Sequence, residues 1–299
     1  MRNLLIRSLF ILFVVQLSSA QAWMTSLDIA QRLASVENKM VLMVWAETTE
    51  YPYPVLVNND EGKTIVIQNL FEDEMISPLI WKHFIPVIIS EDQYSDLYAE
   101  IEGKRTQKYI DKFNDDSIKI MDINGHILNV SGDFENYQNI TDLILNYALN
   151  TEFVTLELKG YKKEKDFYSA YYLASKYMDF SMYMKAEIRS EMIDLSSIYL
   201  DEASEFIKTN SIEDQLKLTQ RVELLKIQQS LITERPKKVL RQLKRMDTEN
   251  IEANNQSFIA FLYYTAYRIL NDETNAEEWK SKVSSVNLKK AQLIINLNS

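Results

Sequence analysis

The side chains able to do chemistry in this chain are few in kind. Histidine occurs twice, as His83 and His126, and cysteine does not occur. Without cysteine there is no thiolate nucleophile, no dithiol pair, no disulfide and no thiolate metal site. Two isolated histidines fall short of the three or four spaced ligands that a metal centre uses. The five glycines, Gly62, Gly103, Gly125, Gly132 and Gly160, cannot be laid on a dinucleotide loop or a Walker loop. No Gly-x-Ser-x-Gly elbow marks a nucleophilic serine. Acidic residues gather at Glu47 and Glu50, at Glu72 to Glu74 and at Asp115 and Asp116. None has the twelve-residue spacing of a calcium loop, so they read as solvated charge. Two carboxylates could still act as general acid and base, but acids are too numerous for spacing to single out a pair. The residues therefore assign no catalytic group, no metal ligand and no cofactor. Contact chemistry remains: Tyr51, Pro52, Tyr53 and Pro54 are rigid groups suited to a partner surface. Three Asn-x-Ser/Thr sequons, at Asn129, Asn139 and Asn255, are what chance supplies among 21 asparagines.

Such groups act only where secondary structure holds them. The chain has 299 residues, 46% of them apolar and 25% charged, which is globular composition and suggests two domains. Its first 22 residues stand apart. Arg2 and Arg7 are followed by the apolar run Leu9 to Val15 and then by Ser18, Ser19, Ala20, Gln21 and Ala22. This order of charge, apolar stretch and small residues reads as a secretory signal peptide cut before Trp23. The run is too short to cross a bilayer, which takes about 20 residues. The mature chain is thus expected to be periplasmic or secreted, with no stable membrane insertion. Its net charge of −10 argues against nucleic acid and against anionic lipid, both of which select basic surfaces.

Beyond Gly160 there is no glycine and only one proline, Pro236. A stretch so free of breakers is most simply helical. Ile188, Met192, Leu195, Tyr199, Ala203 and Phe206 recur with helical period. The expected helices lie near 162–178, 182–208, 212–233, 236–246, 250–271 and 275–296, and 258–270 is apolar enough all round to be central. Residues 160–299 are therefore expected to form a helical domain, a bundle or a tetratricopeptide-like array. Residues 23–155 alternate instead. Helices are expected at 26–38, 73–83, 92–112 and 139–150, and buried strands at 40–46, 84–89 and 118–123. Asn124-Gly125 signals a hairpin into a strand at 126–130. Residues 50–68, with Pro52, Pro54 and a turn at Asn58 to Lys63, read as an inserted hairpin.

This order, with Lys39–Ala46 (KMVLMVWA), Phe84–Ile89 (FIPVII), Tyr109 and Asp122–Gly125 (DING), resembles the thioredoxin fold. The resemblance implies an α/β thioredoxin-like domain followed by an all-α domain, as in exported bacterial proteins of that fold with a helical tail. Counted from Trp45, the family's two cysteines fall on Thr49 and Pro52; its cis-proline falls on Asp116 and the following threonine on Ser117. The redox chemistry of the family needs thiolate attack, so the resemblance implies the fold without the activity. The leading expectation is a non-catalytic protein that binds a protein partner through Thr49, Glu50, Tyr51, Tyr53 and Asp116. A carboxylate enzyme with its site between the domains, or a chaperone-like holder of exported chains, are the alternatives.

Overall fold

The computed structural model describes residues 22–59, 61–131, 139–209, 214–246 and 251–298. The chain divides into two compact units, Met1–Asn150 and Thr151–Ser299. The expected signal peptide lies, but for its last residue, outside the described residues.

In the first unit, α1 (Leu27–Glu37) leads into β1 (Met40–Trp45), whose six residues are all buried. β1 is the middle of a three-stranded sheet. It pairs in parallel with β4 (Phe84–Ile89), Met40 opposite Phe84 through Trp45 opposite Ile89. On its other edge it pairs antiparallel with β5 (Lys119–Met121), Val41 opposite Met121 and Met43 opposite Lys119. The apolar runs of β1 and β4 follow from this place, since strands covered on both faces carry no alternation. α1 packs on β1 and β4 through Leu27, Ala30 and Ala34. It is capped by Ser26 and stops at Asn38, which adopts a left-handed conformation.

Between β1 and β4, β2 (Val55–Asn58) and β3 (Thr64–Ile67) form a separate antiparallel hairpin closed near Gly62 (φ 77°). α2 (Ile76–His83) then runs into β4. The single helix expected over 92–112 is two: α3 (Tyr94–Ile101) and α4 (Gln107–Asn114). Gly103 at φ 67° turns the chain, and the Thr106 hydroxyl accepts the Tyr109 N–H to restart it. The strand expected at 126–130 is reduced to one bridge, Met121 with Ile127. Main-chain bonds from Asp122 N–H to His126 O and from Leu128 N–H to Ile120 O join the two arms, and the buried amide of Asn129 continues them: Oδ1 accepts from Ile120 N–H at 2.7 Å, and Nδ2 donates to Ile118 O at 3.0 Å. α5 (Ile140–Tyr147), capped by Asn139, packs on β2.

The second unit is helical: α6 (Thr155–Lys163), α7 (Phe167–Ser181), α8 (Ala186–Thr209), α9 (Gln215–Ile232), α10 (Pro236–Arg245), α11 (Ala253–Ile269), α12 (Glu273–Lys280) and α13 (Ser285–Leu297). Gly160 lies within α6. Sequence neighbours from α6 to α12 pack on each other, and α11 also packs on α9 and α13. α7 and α8 approach closely because Ala170, Ala174, Ser196 and Ala203 are small and fully buried, and Ser196 Oγ donates to Ala174 O at 2.7 Å. Tyr177 stacks on Tyr199 at 5.7 Å beside them. Of the periodic face on α8, Ile188 through Ala203 is buried, whereas Ile207 takes the last core position in place of Phe206. The helix expected at 275–296 breaks after Lys280, and Ser284 caps the second piece by accepting the Asn287 N–H.

Candidate functional site

The residues singled out above lie on the turn that leaves β1 and on the segment that enters β5. Trp45 ends β1 with its indole N–H donated to Phe113 O at 2.9 Å and its ring edge-on to that of Phe113. A 3₁₀ turn, Ala46–Thr49, follows. Thr48 Oγ1 donates to Trp45 O at 2.6 Å and Thr49 Oγ1 to Ala46 O at 2.7 Å. Both hydroxyl protons are thus given to the turn itself, with no base on either. The Glu47 N–H is held by the Glu91 carboxylate at 2.7 Å, which ties the turn to the end of β4.

The chain then continues from Tyr51 to Pro54 without regular secondary structure. Tyr51 is 73% exposed, and Pro52 and Pro54 are also exposed. Tyr53 turns the other way. Its N–H is bound by the Asn69 side chain, its ring meets Phe71 at 5.9 Å, and its hydroxyl donates to Asp116 O at 3.1 Å. Burial, with Asp115 and then Asp116 nearby, pushes the Tyr53 hydroxyl pKa up, so it stays a donor. The structure therefore joins Tyr53 to Asp116 through the main chain. The Asp116 side chain faces solvent, and the Asp115–Asp116 bond is trans. Thr49 and Glu50 belong to the same turn as Tyr51, and no hydrogen bond links them to Asp116.

Beneath this edge lies a polar cluster built on Asp115, which the residue pattern read as solvated charge and which is instead half-buried and bonded. Asp115 Oδ1 accepts from Ser117 N at 2.9 Å and from Ser117 Oγ, and it pairs with Lys119 Nζ at 3.2 Å. Lys119 Nζ also donates to Asp115 O, and Lys112 Nζ donates to Ser117 Oγ. Burial alone would raise the Asp115 pKa, but Lys112, the Ser117 hydroxyl and Lys119 outweigh it and hold the carboxyl below its ordinary value. Burial pushes the Lys119 ammonium down to about 8, against the pull of Asp115 and Asp116. Lys112, Ser117 and Lys119 are each at most 3% exposed. An amine near neutrality beside a serine could serve as a base, but these atoms bind one another and meet almost no solvent. The arrangement fastens the start of β5 to α4. Its sequence signal was Lys119 itself, set among Ile118, Ile120 and Met121.

The two histidines sit apart, His83 at the end of α2 and His126 on the turn after β5. Among the described residues no three His, Cys, Asp or Glu side chains gather to hold a metal ion. On the turn, Asp122 Oδ1 accepts from Asn124 and His126 N–H, and Gly125 takes φ 88°. The Tyr109 hydroxyl accepts the Ile127 N–H at 2.9 Å and so joins the turn to α4. The sequon asparagines are structural. Asn129 continues the main-chain bonding across the turn, Asn139 caps α5 and Asn255 donates to Lys217 O; all are buried. Comparison with protein-family models, with curated proteins and with solved structures gave no match.

Proposed function

We propose that the chain is a non-catalytic, exported interaction protein whose first unit is a thioredoxin-like domain without the cysteine pair. Several features support the fold assignment. The middle strand ends in Trp45, its parallel neighbour is FIPVII, its antiparallel neighbour starts just after Asp116, and an Asp-x-x-Gly turn follows. The leader-like start of the sequence supports export, and no helix among the described residues is long and apolar enough to cross a membrane.

One observation carries the functional reading. The hydroxyls at the degenerate motif are spent on main-chain carbonyls, Thr49 on Ala46 and Tyr53 on Asp116, while Tyr51 projects into solvent between exposed groups. A surface of this kind offers contact area and no reacting atom. A photo-crosslinking residue placed at Tyr51 tests it in intact cells, with the same residue at the exposed Tyr183 as comparator. The reading expects one dominant adduct from position 51, lost on Asp116→Lys. Equal adducts from both positions would move the contact surface off this edge. Insulin reduction above the buffer blank by a clean preparation would refute the non-catalytic part.

A further inference from the structure

We propose that the helical unit carries a second binding site, one that takes the C-terminal residue of a peptide when that residue is aromatic. It is independent of the reading of the first unit. A cavity of about 250 Å³ opens between α7, α9 and the start of α11. One wall is aromatic. Tyr168 and Tyr172 lie one turn apart on α7, stacked at 6.4 Å with 25° between planes, and are 50% and 58% exposed. Phe167 and Tyr171 back them at 5.2 and 5.7 Å, so the rings are held in place before any ligand arrives. Ligand rings stack on such prepositioned faces at little entropic cost.

The opposite wall is cationic. Lys217 and Arg221 are one turn apart on α9. Lys217 is paired with Asp214 at 2.9 Å and also faces the Glu252 carboxylate, so its charge is already answered. Arg221 donates to Asn254 O at 3.3 Å and lies over the Phe258 ring at 5.6 Å. Its guanidinium also donates a hydrogen bond to the Tyr171 hydroxyl; no carboxylate among the described residues forms an ion pair with it, so its charge and remaining donors are left for an anion.

The third group is Asn255, which lines the cavity and is fully buried. Its Nδ2 donates to Lys217 O at 3.0 Å and to Gln220 Oε1 at 3.2 Å, which fixes the amide the right way round. Its Oδ1 is then left with no hydrogen-bond partner. A buried acceptor in that state costs about 1–3 kcal/mol until a donor reaches it.

The cavity thus asks for a carboxylate, an N–H donor and a flat ring in one small ligand. Its volume is below the roughly 300–1,000 Å³ of pockets for drug-sized ligands, so it takes one ring with its substituents. A free amino acid brings an ammonium toward Arg221, which has no carboxylate partner among the described residues and repels it. An acylated aromatic amino acid has a neutral N–H, a carboxylate and a ring on one carbon, and that is the end of a peptide chain.

Titration calorimetry on the full chain tests this with N-acetyl-alanyl-phenylalanine, its C-terminal amide, free phenylalanine and adenosine monophosphate. The acid is expected to bind about tenfold or more tighter than the amide, the size of a charge-assisted hydrogen bond. Arg221→Gln should bring the acid down to the amide's affinity. Tyr172→Ala should weaken acid and amide alike. Both positions are at the cavity wall, and an unchanged melting curve shows that the fold survives; Tyr183→Ala serves as a silent control. Equal affinity of acid and amide, tighter binding of the nucleotide, or no binding of the acid at millimolar concentration would overturn the proposal.

Discussion

Lys119→Met tests whether the buried cluster beneath the candidate edge holds an ammonium against its own desolvation. A fall from 10.5 to about 8 corresponds to about 3 kcal/mol between the two protonation states. The sign follows from which state holds the proton. Between pH 8 and 10.5 the unfolded chain keeps a proton that the folded chain has released, so raising the pH through that interval favours the fold. Below pH 8 both states carry the proton, and the gain is lost. Lys119 therefore stabilises the wild type by up to about 3 kcal/mol more at alkaline pH than at neutral pH. Methionine keeps the length and loses the charge, while Asp115 retains Lys112 and Ser117 as partners. Tyr53 acts in the opposite sense. Its folded pKa lies above 10, so above pH 10 the unfolded tyrosine ionises first and stability falls. Subtracting the variant from the wild type removes that contribution, because both chains have Tyr53. Urea unfolding at pH 7, 8, 9 and 10 gives the difference directly. It should shift by only about 0.3 kcal/mol from pH 7 to 8, where the folded amine begins to release its proton, then move in favour of the wild type by about 1 kcal/mol per pH unit up to pH 10. A difference that stays constant from pH 7 to 10 would refute the reasoning, since it would mean the ammonium is not desolvated.

Asn129→Ala leaves Ile118 O and Ile120 N–H unpaired in the core, and equilibrium unfolding should show a loss of about 2–4 kcal/mol. Asp116→Lys leaves the Tyr53 bond to the main chain intact; it should change stability by less than about 0.5 kcal/mol, while ultraviolet titration finds the Tyr53 pKa lowered. Intact mass of the protein exported by an expression host should match residues 23–299; a mass that includes residues 1–22 would count against the leader.

The elements legible in the sequence were those whose environment is uniform. β1 and β4 read as buried strands because both faces are covered, so the apolar run needs no phase. α11 read as central because it is apolar on most sides and packs against four helices. The errors arose where one residue overrides a run of good propensity. Gly103 divides a stretch of helix formers with a single left-handed turn, and Ser284 restarts a helix that composition would have carried straight through.

The polar residues were less legible for a different reason. Sequence patterns assign polar groups to solvent by default, and the default fails where a side chain takes over a main-chain hydrogen bond. Asn129 looks like a sequon because its neighbours are Val130 and Ser131, yet its role is set by Ile118 and Ile120, which reach it only after the chain reverses at Gly125. Lys119 stands inside the run 118–123 expected as a buried strand, where its charge has no partner within the strand itself. It is buried because Asp115 sits four residues earlier in non-helical chain, where helical spacing rules do not apply, and offers both carboxylate and carbonyl to one ammonium. Asn255 follows the same logic with one difference. Its donor is used up in the helix pair while its acceptor is not, and no pattern of residue types can separate the two ends of an amide. That distinction decides whether a buried asparagine closes a core or lines a binding site.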